Sequence, residues 1–463
     1  MKICILSDPH IGKKFTYGIE ENISIRTWDI CDTFRKILLH ESEEPTLFLV
    51  AGDFLDKKRL NIAIKEYLDS LCYKLLQRKS AMIIIGGNHD MPQRREKSCF
   101  LNQFDLFPNV IVLRDICVID PLNPSEPIKP IAKAFKLWEQ INHLTRKWFQ
   151  RYVFPALTEQ SVSIVTFPFY MPKTYLTDYV IPIQNLKNLS AHDMKQLEAR
   201  YSRSVLQEFI YEHIIVPIQK QLQTREYKHR IMVGHYQLEG STFSNNQTFT
   251  TGEITFTKKM VMPEFFTCVA FGHIHKKQYM WDLPHVIQLG SIERMDFGER
   301  TDEKSYFYYD PATTELIEHS LTYSKYDPDR PIQIRNMFQK TYTFTDVPSE
   351  FENHILALFQ HDTQDIAHLD EMLVKLVIEV PDISILDTKV LVKKLSEHVY
   401  YPLIKIKRKF TREVTLEKKV DKKMETNEII TEFIHQMNDV STHEQEELTK
   451  KALEIIEQME ASK

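Results

Sequence analysis

The sequence predicts an α/β protein. Three near-continuous apolar strands, over residues 2–7, 46–51 and 81–85, alternate with two helical patterns. Strands that lack polar alternation fit a sheet buried on both faces by helices. Each of these strands closes on a polar cluster, and ligands gather beyond the carboxyl ends of the strands in such sheets.

In order along the chain, residues 2–7 form a strand that ends in Asp8-Pro9-His10. Residues 25–40 form a helix with Trp28, Cys31, Phe34 and Leu38 on one face. The strand over 46–51 ends in Gly52-Asp53-Phe54-Leu55-Asp56, and a helix covers about 61–76. The strand over 81–85 ends in Gly86-Gly87-Asn88-His89-Asp90. Between Pro108 and Arg230 the pattern is weaker, with a helix over 131–152, a strand over 162–167 and a long helix over 191–223 bent near Pro217. The run 230–233 ends in Gly234-His235, and the run 268–271 ends in Gly272-His273-Ile274-His275. A strand over 285–289 leads into the stretch Gly290–Glu299, and 306–321 reads as a hairpin. Asp327-Pro328-Asp329-Arg330-Pro331 marks a boundary. Beyond it lie a strand–helix–strand unit over 373–410, a charged linker over 417–423 and two amphipathic helices over 425–438 and 441–460.

Composition narrows the class. At 463 residues two or three domains are expected. With 43% hydrophobic and 27% charged residues the chain reads as soluble and globular. No apolar run reaches the roughly 18 residues of a membrane span, and the N-terminus reads as a strand rather than a signal peptide. The six cysteines show no paired spacing, so buried free thiols in a reducing, cytoplasmic setting are expected. Net charge is −5, and the segment from Glu417 onward, with 12 acids and 7 lysines, accounts for it. Total charge is therefore no argument for nucleic acid, and any such argument is local. Glycine is scarce at 11 residues, and none follows Gly298.

The strand-end residues Asp8, His10, Asp53, Asn88, His235, His273 and His275 form one candidate ligand set. Carboxylate, imidazole and amide donors together suit Mn²⁺, Fe²⁺ or Zn²⁺ better than Mg²⁺ or Ca²⁺. The set is too large for one ion and suits two, with Asp53 as the natural bridge. Two ions about 4 Å apart can clamp a phosphate and lower the pKa of a bound water. His89 would face away from its neighbouring ligand, free to donate a proton to a leaving oxygen. Asn88 keeps the site from becoming too anionic for a phosphodiester. Taken singly, each of these residues reads as a cap or turn former; five such strand endings in one chain do not.

Asp8-x-His10, Gly52-Asp53-x-x-Asp56, Gly87-Asn88-His89-Asp90, Gly234-His235 and Gly272-His273-x-His275 resemble the five motifs of calcineurin-like metallophosphoesterases. Their order and the stretch Gly290–Glu299 are similar to the SbcD-type DNA double-strand-break repair nucleases, especially archaeal ones. The likeness covers about residues 1–300; over 301–463 it is one of architecture. It implies a four-layer sandwich of helices on two mixed β-sheets, a small α+β capping domain and a C-terminal helical tail. The domains would be 1–325, with a helical insertion within about 120–228, then 326–416 and 417–463. It implies a DNA exo/endonuclease binding two Mn²⁺ per chain, with Mg²⁺, Fe²⁺ or Zn²⁺ as substitutes. Asp8, His10, Asp53 and His275 would hold one ion; Asp53, Asn88, His235 and His273 would hold the other. His89 would be the catalytic histidine. Many relatives have His at the place of Asp56, which leaves a second substrate-contacting histidine open.

Local charge supports DNA. Lys13, Lys14, Lys57, Lys58, Arg59, Arg94, Arg95, Lys276, Lys277 and Arg294 follow the polar clusters and suit successive phosphates, unless they are ordinary solvated loops. Lys405, Lys407 and Lys409 alternate on one strand face, as a second DNA contact or as a lysine-protected edge. In the tail, Ile430, Phe433, Ile434 and Met437 form one stripe, and Leu448, Ala452, Ile455, Ile456 and Met459 another. Two short helices need a larger apolar surface, either the chain's own core or a partner's groove. The resemblance implies the partner, an SbcC-type coiled-coil ATPase, and a homodimer within a 2:2 complex. The rival readings are a small-molecule phosphodiesterase or protein phosphatase on the same fold, and a non-catalytic DNA-binding scaffold.

Overall fold

Alternation along the strands places their side chains in two different cores. In the strand Lys2–Leu6, Ile3 and Ile5 join one buried cluster while Cys4 and Leu6 join another. Thr46–Val50 and Ala81–Ile85 divide in the same way. A strand buried on both faces has no polar side to show, and this is why the pattern is continuously apolar. These relations come from a computed structural model. It describes residues 1–15, 18–20, 22–57, 60–91, 100–121, 143–181, 184, 190–244, 253–322, 332–346, 348–381, 386–408, 431, 434, 445 and 447–453.

The chain divides into two compact units, Met1–Gln339 with Asp362–Lys375 and Lys394–Leu403, and Lys340–His361 with Leu376–Lys393 and Ile404–Lys463. The first contains two mixed six-stranded sheets. One runs in the order Glu315–Ser320, Ser305–Asp310, Lys2–Leu6, Thr46–Val50, Ala81–Ile85, Val110–Leu113. Its four N-terminal strands are parallel, and the hairpin Ser305–Ser320 closes one edge antiparallel. The other runs Gln278–Met280, Leu283–Gln288, Cys268–Gly272, His229–His235, Val162–Phe167, Cys117–Ile119. Its inner four strands are parallel and its edges antiparallel.

The layers follow from the cores. The helices Ile25–Glu41 and Ile62–Gln77 cover the outer face of the first sheet. A central core, with Ile3, Leu49, Ile83, Ile164, Val233 and Ala270, joins the two sheets. Phe149, Val153, Phe154 and Leu157 of the helical segment 143–159 also belong to it, so that segment closes the core. The outer face of the second sheet carries Phe167, Met232 and Phe271 against helices between Pro172 and Gln223. The fold is thus a four-layer helix–sheet–sheet–helix sandwich.

One expectation needs correction, and two points are added. The long helix over 191–223 is broken into Ala191–Arg200, Arg203–Ile210 and Val216–Gln223, with a π-turn at Tyr211–Ile215. Pro217 has no N–H to continue the ladder, and the wider turn sits just before it. Strands Val110–Leu113 and Cys117–Ile119 were not expected from the weak pattern there. Of the helix expected over 131–152, residues 131–142 lie outside the described residues; His143–Tyr152 is helical.

The second unit carries the greater part of a three-stranded sheet ordered Met337–Thr343, Leu373–Val380, Tyr401–Arg408. Helix Phe351–Thr363 buries Ile355 and Phe359. Lys405 and Lys407 stand exposed on the edge strand, and Lys407 reaches Glu379 at 3.6 Å. Lys409 lies outside the described residues. Of the tail stripes, Ile434 is buried, Leu448 exposed and Ala452 half-buried; Ile430, Phe433, Met437, Ile455, Ile456 and Met459 lie outside the described residues.

Among buried charges, Arg26 is the largest. Its Nη2 donates to Glu293 Oε2 at 2.5 Å and to the Arg294 carbonyl at 2.8 Å, and both side chains of the ion pair are 1% exposed. Thr33 Oγ1 donates to the other Glu293 oxygen at 3.0 Å. Losing one partner strands a buried charge, at about 3–5 kcal/mol. Arg26→Met should therefore lower the urea midpoint of unfolding sharply, while Arg26→Met with Glu293→Met should recover most of the loss. A single variant as stable as wild type would show that the pair contributes nothing. The described cysteines, Cys4, Cys31, Cys72, Cys117 and Cys268, are buried free thiols. Among the described residues no helix is long and apolar enough to cross a membrane.

Candidate metal centre

The site forms where the parallel strands of both sheets end. Lys2–Leu6 delivers Asp8 and His10, Thr46–Val50 delivers Asp53, and Ala81–Ile85 delivers Asn88 and His89. From the second sheet, His229–His235 delivers His235, and Cys268–Gly272 delivers His273 and His275. Backbone hydrogen bonds stitch the loops together: Asp8 N–H donates to the Gly52 carbonyl, His10 N–H to the Asp53 carbonyl at 3.0 Å. Asp8, His10, Asp53 and His273 all have positive φ, at 49°, 43°, 45° and 94°. Side-chain-bearing residues rarely adopt this region, and such strain concentrates at functional sites.

Two glycines explain how the loops approach so closely. A Cβ on Gly272 would lie 1.9 Å from Ser7 Oγ and 2.2 Å from the Ala51 carbonyl oxygen. One on Gly87 would lie 2.2 Å from both the backbone nitrogen and Oδ1 of Asp53. Only hydrogen fits at either position.

The donors converge in two groups that share Asp53. His10 Nε2 lies 3.0 Å from His275 Nε2 and 3.9 Å from Asp8 Oδ1. Asn88 Oδ1 lies 3.1 Å from His235 Nε2 and 3.1 Å from His273 Nδ1. Asp53 Oδ2 stands between the groups, 3.6 Å from His10 Nε2 and 3.4 Å from His235 Nε2. An octahedral ion bonded at about 2.1 Å holds neighbouring donors about 3.0 Å apart. The 3.0 and 3.1 Å spacings among His10, His275, Asn88, His235 and His273 meet that requirement, and the Asp8 and Asp53 oxygens stand somewhat farther, at 3.4–3.9 Å.

Protonation also points to cations. His235 Nδ1 donates to the Ala51 carbonyl at 2.8 Å, which aims Nε2 at two acceptors, Asn88 Oδ1 and Asp53 Oδ2. Burial pushes the His235 imidazole down, but the Asp53 carboxylate outweighs it and holds the pKa up at about 9. The position calls for positive charge. Burial likewise works to raise Asp53, yet His235 and His10 keep its carboxyl well below the usual range.

His89 differs from the others. Its backbone N–H, not its ring, bonds to Asp53, donating to Oδ1 at 2.8 Å. Its ring Nδ1 lies 3.0 Å from the Asp56 carbonyl oxygen, and its side chain is 41% exposed. One ring nitrogen still lies within 4.8 Å of donor atoms of His10 and Asp53. Asp56 itself is nearly buried, with Oδ1 at 3.4 Å from Lys13 Nζ and 3.6 Å from His10 Nδ1. Burial works to raise its carboxyl, but His10 and Lys13 hold it below the usual range.

Three carboxylates had no role in the sequence reading. Asp90 accepts from the backbone N–H groups of Phe54, Leu55 and Gly87, tying the Asp53 loop to the Asn88 loop. Burial, with repulsion from Asp53, raises its pKa to about 7. Glu253 and Glu299 meet the rings of His273 and His275. Their spacing from any ligand follows no short motif; the one signal was that Glu299 closes the stretch that carried the resemblance.

The basic residues divide. Lys14 and Lys57 are exposed, and Lys13 and Lys276 half-buried. Lys58, Arg59, Arg94 and Arg95 lie outside the described residues. Lys277 and Arg294 do not stand free at a rim. Lys277 pairs with Glu303 at 2.9 Å and Glu318 at 2.5 Å. Arg294 is 5% exposed, and its Nη1 donates to the Arg335 carbonyl at 2.9 Å.

The sequence model of the family described as calcineurin-like phosphoesterase matches residues 1–277, more than half of the chain. The protein belongs to this family, and the Asp and His groups at its strand ends could hold metal ions. Among solved structures it is similar to a putative 5'-nucleotidase from Staphylococcus aureus, at 13% identity and a TM-score of 0.32. That likeness covers 69% of this chain and 52% of the nucleotidase, so the chain spans about half of that protein's length. It is also similar to a cold-active protein-tyrosine phosphatase of a psychrophilic Shewanella species, at 10% identity and a TM-score of 0.24, over 69% of this chain and 80% of the phosphatase.

Proposed function

We propose that the protein is a Mn²⁺-dependent DNA nuclease that acts with an SbcC-type ATPase in double-strand-break processing, repair or recombination. The observation that carries the reading is His89, a half-open imidazole held beside a buried donor set. Asp8, His10, Asp53 and His275 would hold one ion; Asp53, Asn88, His235 and His273 would hold the other. When bound, such a pair lowers the pKa of a water and neutralises phosphate charge. The Asp56 carbonyl takes the Nδ1–H of His89, and in the imidazolium form Nε2 carries the second proton, the one given to the leaving oxygen. Lys13 sits beside Asp56, and Lys14 and Lys57 are exposed next to it in the chain, where a polymer's flanking phosphates would lie. Asn88 contributes a neutral donor, which favours a singly charged diester.

Full-length protein with Mn²⁺ should cleave labelled duplex, single-stranded or hairpin DNA as well as bis-p-nitrophenyl phosphate. Cleavage of the small ester alone, with every DNA left intact, would move the reading to a small-molecule phosphodiesterase.

The tail is assigned to the ATPase, in a cytoplasmic complex of two nucleases and two ATPases. Deleting residues 425–463 should leave Mn²⁺-dependent cleavage of short single-stranded DNA near normal. It should abolish co-purification with the ATPase and any ATP-stimulated cleavage of duplex. A truncated chain that still co-purifies undiminished would defeat the assignment, and aggregation on truncation would show that the stripes pack on the chain's own core.

A further inference from the structure

We propose that Glu253 and Glu299 are positioning residues that set opposite tautomers in His273 and His275, and so commit one histidine to each metal position. The two histidines are separated only by Ile274, which is fully buried. They nevertheless present different ring nitrogens to the site. His273 turns Nδ1 towards Asn88 Oδ1 at 3.1 Å, and its Nε2 lies 2.9 Å from Glu253 Oε2. His275 turns Nε2 towards His10 Nε2 at 3.0 Å, and its Nδ1 lies 2.8 Å from Glu299 Oε1.

An ionised carboxylate only accepts, so the nitrogen facing it must carry the proton. Glu253 therefore places a proton of His273 on Nε2 and leaves the lone pair of Nδ1 directed at the cation position. Glu299 places a proton of His275 on Nδ1 and leaves the lone pair of Nε2 directed at the other position. A lone pair is what a cation needs, and the partner that holds the other nitrogen decides which one is offered.

The Glu299 carboxylate is itself fixed. Glu299 Oε2 accepts from the fully buried Lys304 ammonium at 2.6 Å and from Met295 N–H at 3.2 Å. The same ammonium donates to the His275 carbonyl at 2.9 Å and to Ser291 Oγ at 2.8 Å, so carboxylate and histidine backbone are clamped by one group. Glu253 is 7% exposed, and the Phe169 ring stacks on His273 with centroids 5.7 Å apart and planes 27° apart. The ring of His273 is thus held in plane as well as in tautomer. This gives the stretch Gly290–Glu299 a chemical task beyond carrying the chain out of the second sheet.

The inference rests on the two-cation reading of the site and not on DNA as substrate. Loss of such an outer partner typically costs about 10–100-fold in metal affinity. Mn²⁺ is titrated by calorimetry into the metal-free full chain. Glu253→Gln should weaken one of the two binding events by about 10–100-fold and leave the other near wild type. Glu299→Gln should do the same, and the double variant should weaken both. Either single variant binding both ions at wild-type affinity, or a double variant no weaker than the singles, overturns the assignment. The Glu253 arm stands by itself if Glu299→Gln fails to fold. Nitrogen-15 histidine spectra of the wild type loaded with diamagnetic Zn²⁺ give a second readout that a merely structural contact would not move. His275 should appear as the Nδ1–H tautomer and His273 as the Nε2–H tautomer, and the reverse pattern overturns the proposal. A chain that binds two ions in this way yet cuts no DNA would sink the nuclease reading and leave this one standing.

Discussion

Replacing His89 with alanine is expected to cut turnover on DNA by about 10²–10⁴-fold, the usual worth of a general acid, with both metal positions retained. The geometry separates the two functions. The His89 backbone, not its ring, bonds to Asp53, at 2.8 Å. The ring is anchored on the Asp56 carbonyl through Nδ1 and is 41% exposed. A proton donor matters most when the leaving oxygen is basic. A p-nitrophenolate departs readily without help, so the same variant should lose much less on bis-p-nitrophenyl phosphate. Equal losses on both substrates would make His89 a phosphate-positioning group. Loss of bound Mn²⁺ along with rate would make it a ligand, which its closeness to His10 and Asp53 donor atoms permits.

What could be read from the sequence follows a physical line. Strands buried on both faces must be apolar throughout, so Lys2–Leu6, Thr46–Val50 and Ala81–Ile85 stood out, and their carboxyl ends marked the site. Val110–Leu113 and Cys117–Ile119 are too short to show a period against weak surroundings. The fate of a charge depends on its neighbours in space. Lys277 and Arg294 looked like rim residues because sequence does not show Glu303 and Glu318, or the Arg335 carbonyl, beside them. Arg26 lay on a helix face that reads as ordinary, yet it is buried against Glu293, far away in the chain. Glu253 and Glu299 escaped for the same reason. A candidate ligand sits at a predictable strand end, but the partner that orients it can come from any loop that folds back.

Asp53→Asn should cost both metal positions, more than any substitution confined to one group. Asp53 Oδ2 stands between the groups, 3.6 Å from His10 Nε2 and 3.4 Å from His235 Nε2. Its side chain is 3% exposed, so water cannot readily replace the missing charge. The amide is nearly isosteric and its oxygen can still accept the His89 N–H, so the loops should keep their shape. What disappears is the negative charge that two neighbouring cations would share. The loss in affinity should exceed the roughly 10–100-fold that follows removal of an outer partner. It should fall on both ions together, in contrast to the split expected for Glu253→Gln and Glu299→Gln. Elemental analysis after desalting should drop well below the about two ions per chain of a two-metal site, with an unchanged circular dichroism spectrum as the control for folding. Retention of one full ion would place Asp53 in a single group, and retention of both at wild-type affinity would remove it from the metal centre altogether.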